Sequence, residues 1–214
     1  MKTYEKTTIR ISHIEEHSTL LGPYNRFLIW VHGCCFNCDG CLATNTRYGT
    51  YKNISINELS QMIIQSECEG ITISGGEPFL QASELSALIE NIRKIKDIGV
   101  IIYSGFTLSE IKDDPNKHNL LEQTDILIDG QYIKELDDGR PYIGSSNQKL
   151  HYLTNRYKEV GAQYYSTSKR QSEIKITPNE VVLIGVPTAN VLNTWKSLKE
   201  KSGGNNNAIW NGIT

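Results

Sequence analysis

The stretch that decides the fold runs from Arg26 to Cys41 and reads RFLIWVHGCCFNCDGC. Its first part is an apolar run, which predicts a buried strand over Arg26–Val31. This strand leads straight into a loop in which residues 34–41 contain four of the chain's five cysteines. In folds built on parallel strands, chemistry gathers at the carboxyl ends of the strands. We therefore expect the functional site in this loop.

The same order of strand, turn and helix recurs further along the chain. The other apolar runs of strand length are GITIS (70–74), GVIIYS (99–104) and DILIDG (125–130). Capping-box patterns predict a helix that begins after Ser55 and ends near residue 65, and a second helix start at residues 107–110. An amphipathic stretch predicts a helix over residues 82–95. This alternation predicts an α/β fold with a parallel sheet or barrel. The cysteine loop and the turns at 75–78 and 104–105 each follow a strand, so we expect them at one end of the sheet.

The last quarter of the chain has a weaker pattern. Residues 172–187 predict a hairpin turned at Pro178-Asn179, residues 190–201 predict a helix, and residues 202–214 predict a flexible tail. We expect two parts, a core over residues 1–157 and a C-terminal extension over residues 158–214 that packs on it.

Composition excludes several classes of protein. The chain has 214 residues, 38% hydrophobic and 21% charged, which is typical of one sizeable globular domain. A net charge of −2 gives no basic footprint for nucleic acid. No run approaches the roughly 18 apolar residues of a membrane span, and the first residues lack the apolar region of a secretory signal. Clustered cysteines, odd in number, are untypical of a secreted disulfide scaffold, so we expect a cytoplasmic protein.

Three kinds of site fit the cysteine cluster. A zinc site usually pairs two C-x-x-C units, and here only Cys38 and Cys41 have that spacing, so that Cys34 would need Cys35 or His32 beside it. Thioredoxin-like redox chemistry would use the same pair and leave Cys34 unexplained. Taken together, Cys34, Cys38 and Cys41 form C-x3-C-x2-C, and three thiolates can hold three irons of a 4Fe–4S cluster while the fourth iron stays open.

At these residues the chain resembles the radical S-adenosylmethionine enzymes, whose signature is this cysteine spacing followed by a Gly-Gly-Glu-Pro motif, here SGGEPFLQ (74–81). Within that superfamily it is similar to the single-cluster activating enzymes of anaerobic ribonucleotide reductase. The stretches that carry this second likeness are GPYNRFLIWVHGC, TDILIDGQY and GSSNQKLHYLTNRY. The resemblance covers about Thr19 to Tyr157.

The resemblance implies a fold and a set of site residues. The fold is a partial (β/α)6 barrel of TIM type, open at the top. Cys34, Cys38 and Cys41 would hold the cluster, and its open iron would bind the amine and carboxylate of S-adenosylmethionine. The residues placed around the methionyl group and the ribose are Gly75, Gly76, Glu77, Pro78, Ser104, Gly105 and Asp129. Gly40 and Leu42 would lie near the adenine, and Ser145, Ser146 and Asn147 on the substrate side.

The resemblance also implies an activity. A flavodoxin or ferredoxin would supply an electron, S-adenosylmethionine would be cleaved to a 5′-deoxyadenosyl radical, and that radical would take a hydrogen atom from a glycine of a partner enzyme. One alternative keeps this chemistry and modifies a ribosomally made peptide or a small molecule. Only Cys68 lies outside the loop, so no auxiliary cluster of the kind found in many peptide-modifying relatives is expected. A second alternative is a non-catalytic module that binds zinc.

Other candidate ligands receive simpler interpretations. Residues 13–17, HIEEH, fit the inverted zinc-protease motif H-x-x-E-H, but that chemistry needs a helix and this segment follows a β-like run. We expect Cys35 to be a neighbour rather than a ligand, and Cys68 to be a small buried hydrophobe. His118 and His151 have no visible partner in the sequence and are expected to be surface or core residues.

Overall fold

The computed structural model describes residues 7–167, 169–176 and 181–201. Its main element is a seven-stranded sheet in the order β3-β1-β2-β4-β5-β6-β7, and a separate hairpin pairs β8 with β9. The strands are β1 (Thr8–Ser18), β2 (Arg26–Val31), β3 (Lys52–Ser55), β4 (Gly70–Gly75), β5 (Gly99–Tyr103), β6 (Ile126–Asp129), β7 (Lys149–Tyr152), β8 (Ser172–Ile176) and β9 (Val181–Gly185). The helices are α1 (Asn45–Tyr48), α2 (Ile56–Gln65), α3 (Ala82–Arg93), α4 (Leu108–Lys112), α5 (Pro115–Glu122), α6 (Lys158–Thr167) and α7 (Ala189–Lys201).

The centre of the sheet consists of the parallel strands β2, β4, β5 and β6. These are the strands that the apolar runs predict, and the α/β class is confirmed. The strands outside this centre run antiparallel: β1 pairs with β2 and β3 on one side, and β7 pairs with β6 on the other. Within the described residues the sheet is open, with β3 and β7 as its edges, and it does not close into a barrel.

One face of the sheet is covered by helices. In β2, Phe27, Ile29 and Val31 point to this face and pack with apolar residues of α2, α3 and α5. Cys68 is buried in the same cluster, as expected. Both predicted helix starts are found. The side chain of Ser55 accepts a hydrogen bond from the Glu58 N–H at the start of α2, and Thr107 and Glu110 form a complete capping box at the start of α4.

The other face is covered by the C-terminal part of the chain. Leu28 and Trp30 of β2 point to this face and share a second core cluster with Val182, Ile184 and Val186. The helix α7 follows, with Trp195 only 1% exposed. The predicted turn at Pro178-Asn179 and the predicted tail over 202–214 lie outside the described residues. Among the helices that the structure describes, none is long and apolar enough to cross a bilayer.

The amino ends of the parallel strands are joined by a buried arginine. Arg26 is fully buried, and its guanidinium donates to the carbonyls of Ile71 and Gly99, which open β4 and β5. It also donates to the hydroxyls of Thr72 and Tyr157. The side chain therefore ties three neighbouring strands together at the end opposite the cysteine loop.

The H-x-x-E-H segment is part of a strand. Residues 13–17 continue β1, with irregular register against β2 on both sides of His13–Glu15. His13 packs against Trp30, whereas the ring of His17 lies 3.1 Å from the side-chain amide of Asn25. The helix that a zinc-protease motif requires is therefore not formed here.

Candidate metal centre

Three cysteines and two strand-end turns line one cavity at the carboxyl ends of β2, β4, β5 and β6. The predicted site residues in its wall are Cys34, Cys38, Cys41, Gly75, Gly76, Glu77 and Gly105. Further residues, for which the sequence carries no motif, complete the wall: Phe36, Ala43, Thr46, Arg47, Gly130, Gln131 and Tyr132.

The cysteine loop is held in place from both sides. The Gly33 N–H donates to the Thr46 carbonyl, which fixes the start of the loop. The ring of Phe36 meets the ring of Phe106 edge-on at 4.8 Å, and a Cβ added to Gly105 would lie 2.5 Å from Phe36. Glycine at 105 therefore makes room for the aromatic side chain that anchors the cysteine loop on the β5 turn.

The thiols are partly buried and close to backbone donors. Burial raises the pKa of Cys34 to about 11, against a backbone hydrogen bond from Phe36 that lowers it. Burial also raises the pKa of Cys38, whereas a hydrogen bond from the backbone N–H of Tyr132 lowers it. Metals bind the thiolate form. A metal cation that displaces these protons would therefore compensate the negative charge of the thiolates, which burial otherwise disfavours.

The glycine pair at the end of β4 packs against the backbone at the end of β2, just before the cysteine loop. A Cβ on Gly76 would lie 2.1 Å from the carbonyl oxygen of Gly33, and Gly75 has φ +104°. The N–H groups of Gly76 and Glu77 donate to the carbonyls of Val31 and Gly33, each at 2.8 Å. The glycines therefore allow a close approach of backbone to backbone, which sets the turn directly beside the first cysteine.

Glu77 joins the β4 turn to the β5 turn. It is 1% exposed, and it accepts hydrogen bonds from the Phe79 N–H, the Ser104 hydroxyl and the Gly105 N–H at 2.8–3.0 Å. Burial raises the pKa of Glu77 to about 7, although these three hydrogen bonds lower it. A cationic group in the cavity would favour the carboxylate form. Pro78 opens a short 3-10 turn at residues 78–81 behind this carboxyl group.

Asp129 lies at the end of β6 and has two neighbours that the sequence did not reveal. Its Oδ2 atom accepts a hydrogen bond from the Leu108 N–H at 2.6 Å. The same oxygen is 3.1 Å from Nε2 of His151, a contact that becomes an ion pair when the imidazole is protonated. Nε2 is close in distance but makes no hydrogen bond within the described residues. The sequence carries no sign of this contact between Asp129 and His151.

The predicted substrate-side residues hold the loop that follows β6. Ser145 is fully buried and its hydroxyl accepts from the Ile133 N–H at 3.1 Å. The side-chain amide of Asn147 donates to the Gln131 carbonyl at 2.7 Å, and the Ser146 N–H donates to the Leu136 carbonyl. The buried amide of Gln148 adds a further hydrogen bond to the Gly130 carbonyl. This network sets Tyr132 against the cysteine loop.

Several predicted residues do not line the cavity: Pro78, Ser104, Asp129, Ser145, Ser146 and Asn147. Four more predicted or considered residues also lie outside it. Gly40 and Leu42 line an adjoining cleft of about 360 Å³ on the outer side of Cys41. Cys35 is exposed and does not line the cavity. The ring of His32 stacks on Tyr51 at 4.4 Å, away from the cysteines. A larger open cleft of about 900 Å³, between β1, β3 and α2, contains none of the predicted site residues.

The donor set of three thiols fits an iron–sulfur cluster, for which thiolate is the usual ligand. Within the described residues, no group of three His, Cys, Asp or Glu side chains is placed to hold a single ion. In a cluster each thiolate binds a different iron, and all three cysteines line the same cavity. Glu77 and the glycine pair Gly75 and Gly76 line the same cavity.

The family comparison agrees with this donor set. Residues 20–151 match the 4Fe-4S single cluster domain family. The chain belongs to this family. The matched range includes the three predicted cysteine ligands and all residues that line the inner cavity, and it ends within β7, the last strand of the seven-stranded sheet.

Individual relatives of the single-cluster domain are activating proteins. The chain is 31% identical over 144 residues to the anaerobic ribonucleoside-triphosphate reductase-activating protein of Vibrio cholerae. The alignment covers 62% of this chain and 91% of that protein. It is 30% identical over 146 residues to the protein of the same name from Escherichia coli K12, with 62% and 91% covered. For the one from Enterobacteria phage T4 the identity is 29% over 136 residues, with 60% and 85% covered.

Proposed function

We propose that this chain is a radical S-adenosylmethionine enzyme that generates a glycyl radical on a partner enzyme of the anaerobic ribonucleotide reductase type. The observation that carries the proposal is the convergence of Cys34, Cys38 and Cys41 with the Gly75–Glu77 turn on one cavity. The names of the relatives support the partner. The clustered cysteines support a reducing, cytoplasmic setting.

The residues of the cavity have distinct tasks in this proposal. The three cysteine thiolates hold a 4Fe–4S cluster, which when bound supplies the electron that cleaves S-adenosylmethionine to a 5′-deoxyadenosyl radical. The open sheet then serves as the partial barrel of such enzymes, with its carboxyl ends as the mouth. Glu77 provides a buried carboxylate for the cationic amine of the substrate.

The remaining cavity residues orient the ligand and exclude water. Ser104 and Gly105 fix the Glu77 carboxyl group through two hydrogen bonds. Phe36 and Tyr132 cover the cavity with aromatic surface, which protects a reactive radical from side reactions. The glycine of the partner would enter from the open side of the cavity.

The test is anaerobic reconstitution with iron and sulfide, followed by a reductant and S-adenosylmethionine. We expect one 4Fe–4S cluster per chain, formation of 5′-deoxyadenosine, and a glycyl radical signal when anaerobic ribonucleotide reductase is added. Cys38→Ala is expected to remove cluster and product together, whereas Cys35→Ala is the matched control and retains both.

The outcomes separate the alternatives. Product without a glycyl radical would contradict the partner and favour modification of a peptide or small molecule. A chain that binds zinc and takes up no iron would contradict the enzyme as a whole. Retention of the cluster in Cys38→Ala would contradict the ligand assignment.

A further inference from the structure

The cleft outside Cys41 brings the C-terminal helix to the cysteine loop. One wall is formed by Gly40–Leu42, a second by Tyr132 and Lys134, and a third by Leu192 and Lys196 of α7. Cys41 and Tyr132 line both this cleft and the inner cavity. One proposed cluster ligand is therefore reached from the inner cavity on one side and from the protein surface on the other.

Two lysines line the cleft, on a chain of net charge −2. Lys134 and Lys196 face it, both are exposed, and no acidic residue lines it. Two exposed acidic residues, Asp39 and Glu135, are sequence neighbours of the lining residues. The two ammonium groups are therefore the charged groups that line the cleft itself, whereas the two carboxylates lie beside it.

The cleft walls are fixed in place. Trp195 is 1% exposed and anchors α7, and Leu192 and Lys196 are one helical turn apart on the same face. Gly40 has φ +72°, and a Cβ there would lie 3.2 Å from Cδ of Lys134. Glycine at this position lets the lysine stem lie against the cysteine loop. The helix α7 follows the family-matched residues 20–151, so this wall is built by the C-terminal part of the chain.

We infer that this cleft is the docking site of an acidic one-electron carrier protein that reduces the metal centre. The inference rests on the proposed function, which requires one electron to leave the carrier and enter the cluster with no transfer of atoms. An acidic carrier complements the two lysines, and Leu192 with Tyr132 offers a small apolar centre. Small interfaces steered by charge are typical of redox encounters.

The experiment uses a reduced acidic flavodoxin as the probe and the reconstituted chain as its acceptor. The rate of cluster reduction is measured by stopped-flow absorbance at several salt concentrations, without S-adenosylmethionine. We expect Lys196→Glu and Lys134→Glu each to slow reduction on the order of tenfold at low salt and to flatten its salt dependence. Lys158→Glu, with the same change of charge on exposed α6, is the control and is expected to behave like the unchanged chain.

Two further measurements define the partner. Binding of oxidised flavodoxin to the cluster-free chain is expected to weaken in Lys196→Glu and Lys134→Glu only. Dithionite, a small reductant that needs no docking, is expected to give unchanged rates of 5′-deoxyadenosine formation in all variants. Because cluster reduction and flavodoxin binding are read without product, they can fail while the proposed function stands.

Specific results would overturn the inference. Equal flavodoxin rates and equal salt dependence in Lys196→Glu and the unchanged chain would place docking elsewhere. Loss of the dithionite-driven reaction in Lys196→Glu would show that the cleft binds substrate or the glycine-bearing partner instead.

Discussion

At each end of the central sheet a buried ionisable side chain forms hydrogen bonds with backbone groups, and the two side chains are of opposite type. At the amino ends, the buried cation Arg26 donates to the carbonyls of Ile71 and Gly99. At the carboxyl ends, the buried carboxyl group of Glu77 accepts from the N–H groups of Phe79 and Gly105. Each side chain satisfies backbone groups that neighbouring strands leave unpaired where they begin or end.

The difference between the two ends is access. Arg26 is enclosed, with Tyr157 beneath its guanidinium at 5.2 Å and all its hydrogen bonds made to carbonyls and hydroxyls of the chain. Glu77 is as deeply buried but lines the cavity that the cysteines share. The enclosed side chain of Arg26 can therefore only stabilise the fold, whereas the side chain of Glu77, which lines a cavity, can also contact a ligand.

The largest expected effect is on stability at the sealed end. Arg26→Met removes the donors that the carbonyls of Ile71 and Gly99 use, and we expect the free energy of unfolding to fall by about 3 kcal/mol or more. Cluster content and activity per folded molecule are expected to stay unchanged. Chemical denaturation and iron analysis measure the two quantities.

Arg156→Met is the matched control at the same end, because Arg156 is exposed, pairs with Asp97 on the surface and approaches the buried Asp125 only to 3.8 Å. We expect it to cost less than about 1 kcal/mol. Equal losses in the two variants would contradict the role given to Arg26.

The next effect is on ligand binding at the open end. Glu77→Gln keeps the size of the side chain and removes the charge, so we expect S-adenosylmethionine to bind the reconstituted chain roughly 10- to 100-fold more weakly. Because both carboxyl oxygens accept from an N–H group, the amide must point its own donor at one of them, which costs about 1–3 kcal/mol of stability. Equilibrium binding and denaturation measure these effects.

Glu90→Gln, on the exposed side of α3, provides the same substitution without a role in the cavity. It is expected to change neither quantity. If Glu77→Gln bound S-adenosylmethionine as tightly as this control, the buried carboxylate would not be the partner of the amine.

The smallest expected effect distinguishes scaffold from substrate contact in the loop after β6. Ser145→Ala leaves the Ile133 N–H without its acceptor, and we expect a loss of about 1–2 kcal/mol in stability with activity nearly unchanged. Ser146→Ala is the control, because the side chain of Ser146 is exposed and its hydrogen bond is made by the backbone. A large loss of activity at unchanged stability in Ser145→Ala would assign the residue to the substrate side.

The central strands could be predicted from the sequence because each is a short apolar run closed by a turn. The same reasoning did not predict β3 and β7, which have mixed polarity because they form the edges of the sheet. Nor did it predict that β1 continues through residues 13–17, where charged side chains conceal the strand pattern. Edge strands are specified by their neighbours, and a single sequence does not contain those pairings.

The grouping of the three cysteines at one cavity could be predicted because their spacing is that of a metal-ligand set, and the resemblance extended this to the turns. The reasons for other residues depend on tertiary contacts. Nothing in the sequence indicates that Arg26 is buried, that Gly76 abuts Gly33, or that Gln148 orders a loop. The position of α7 beside the cysteine loop is of the same kind.

The central claim is that Cys34, Cys38 and Cys41 hold one cluster whose remaining iron binds S-adenosylmethionine. The electron paramagnetic resonance spectrum of the reduced, reconstituted chain tests it directly when recorded with and without S-adenosylmethionine. We predict the signal of one 4Fe–4S cluster, with g values that shift on addition of the ligand. A spectrum that stays unchanged at saturating ligand would contradict the claim.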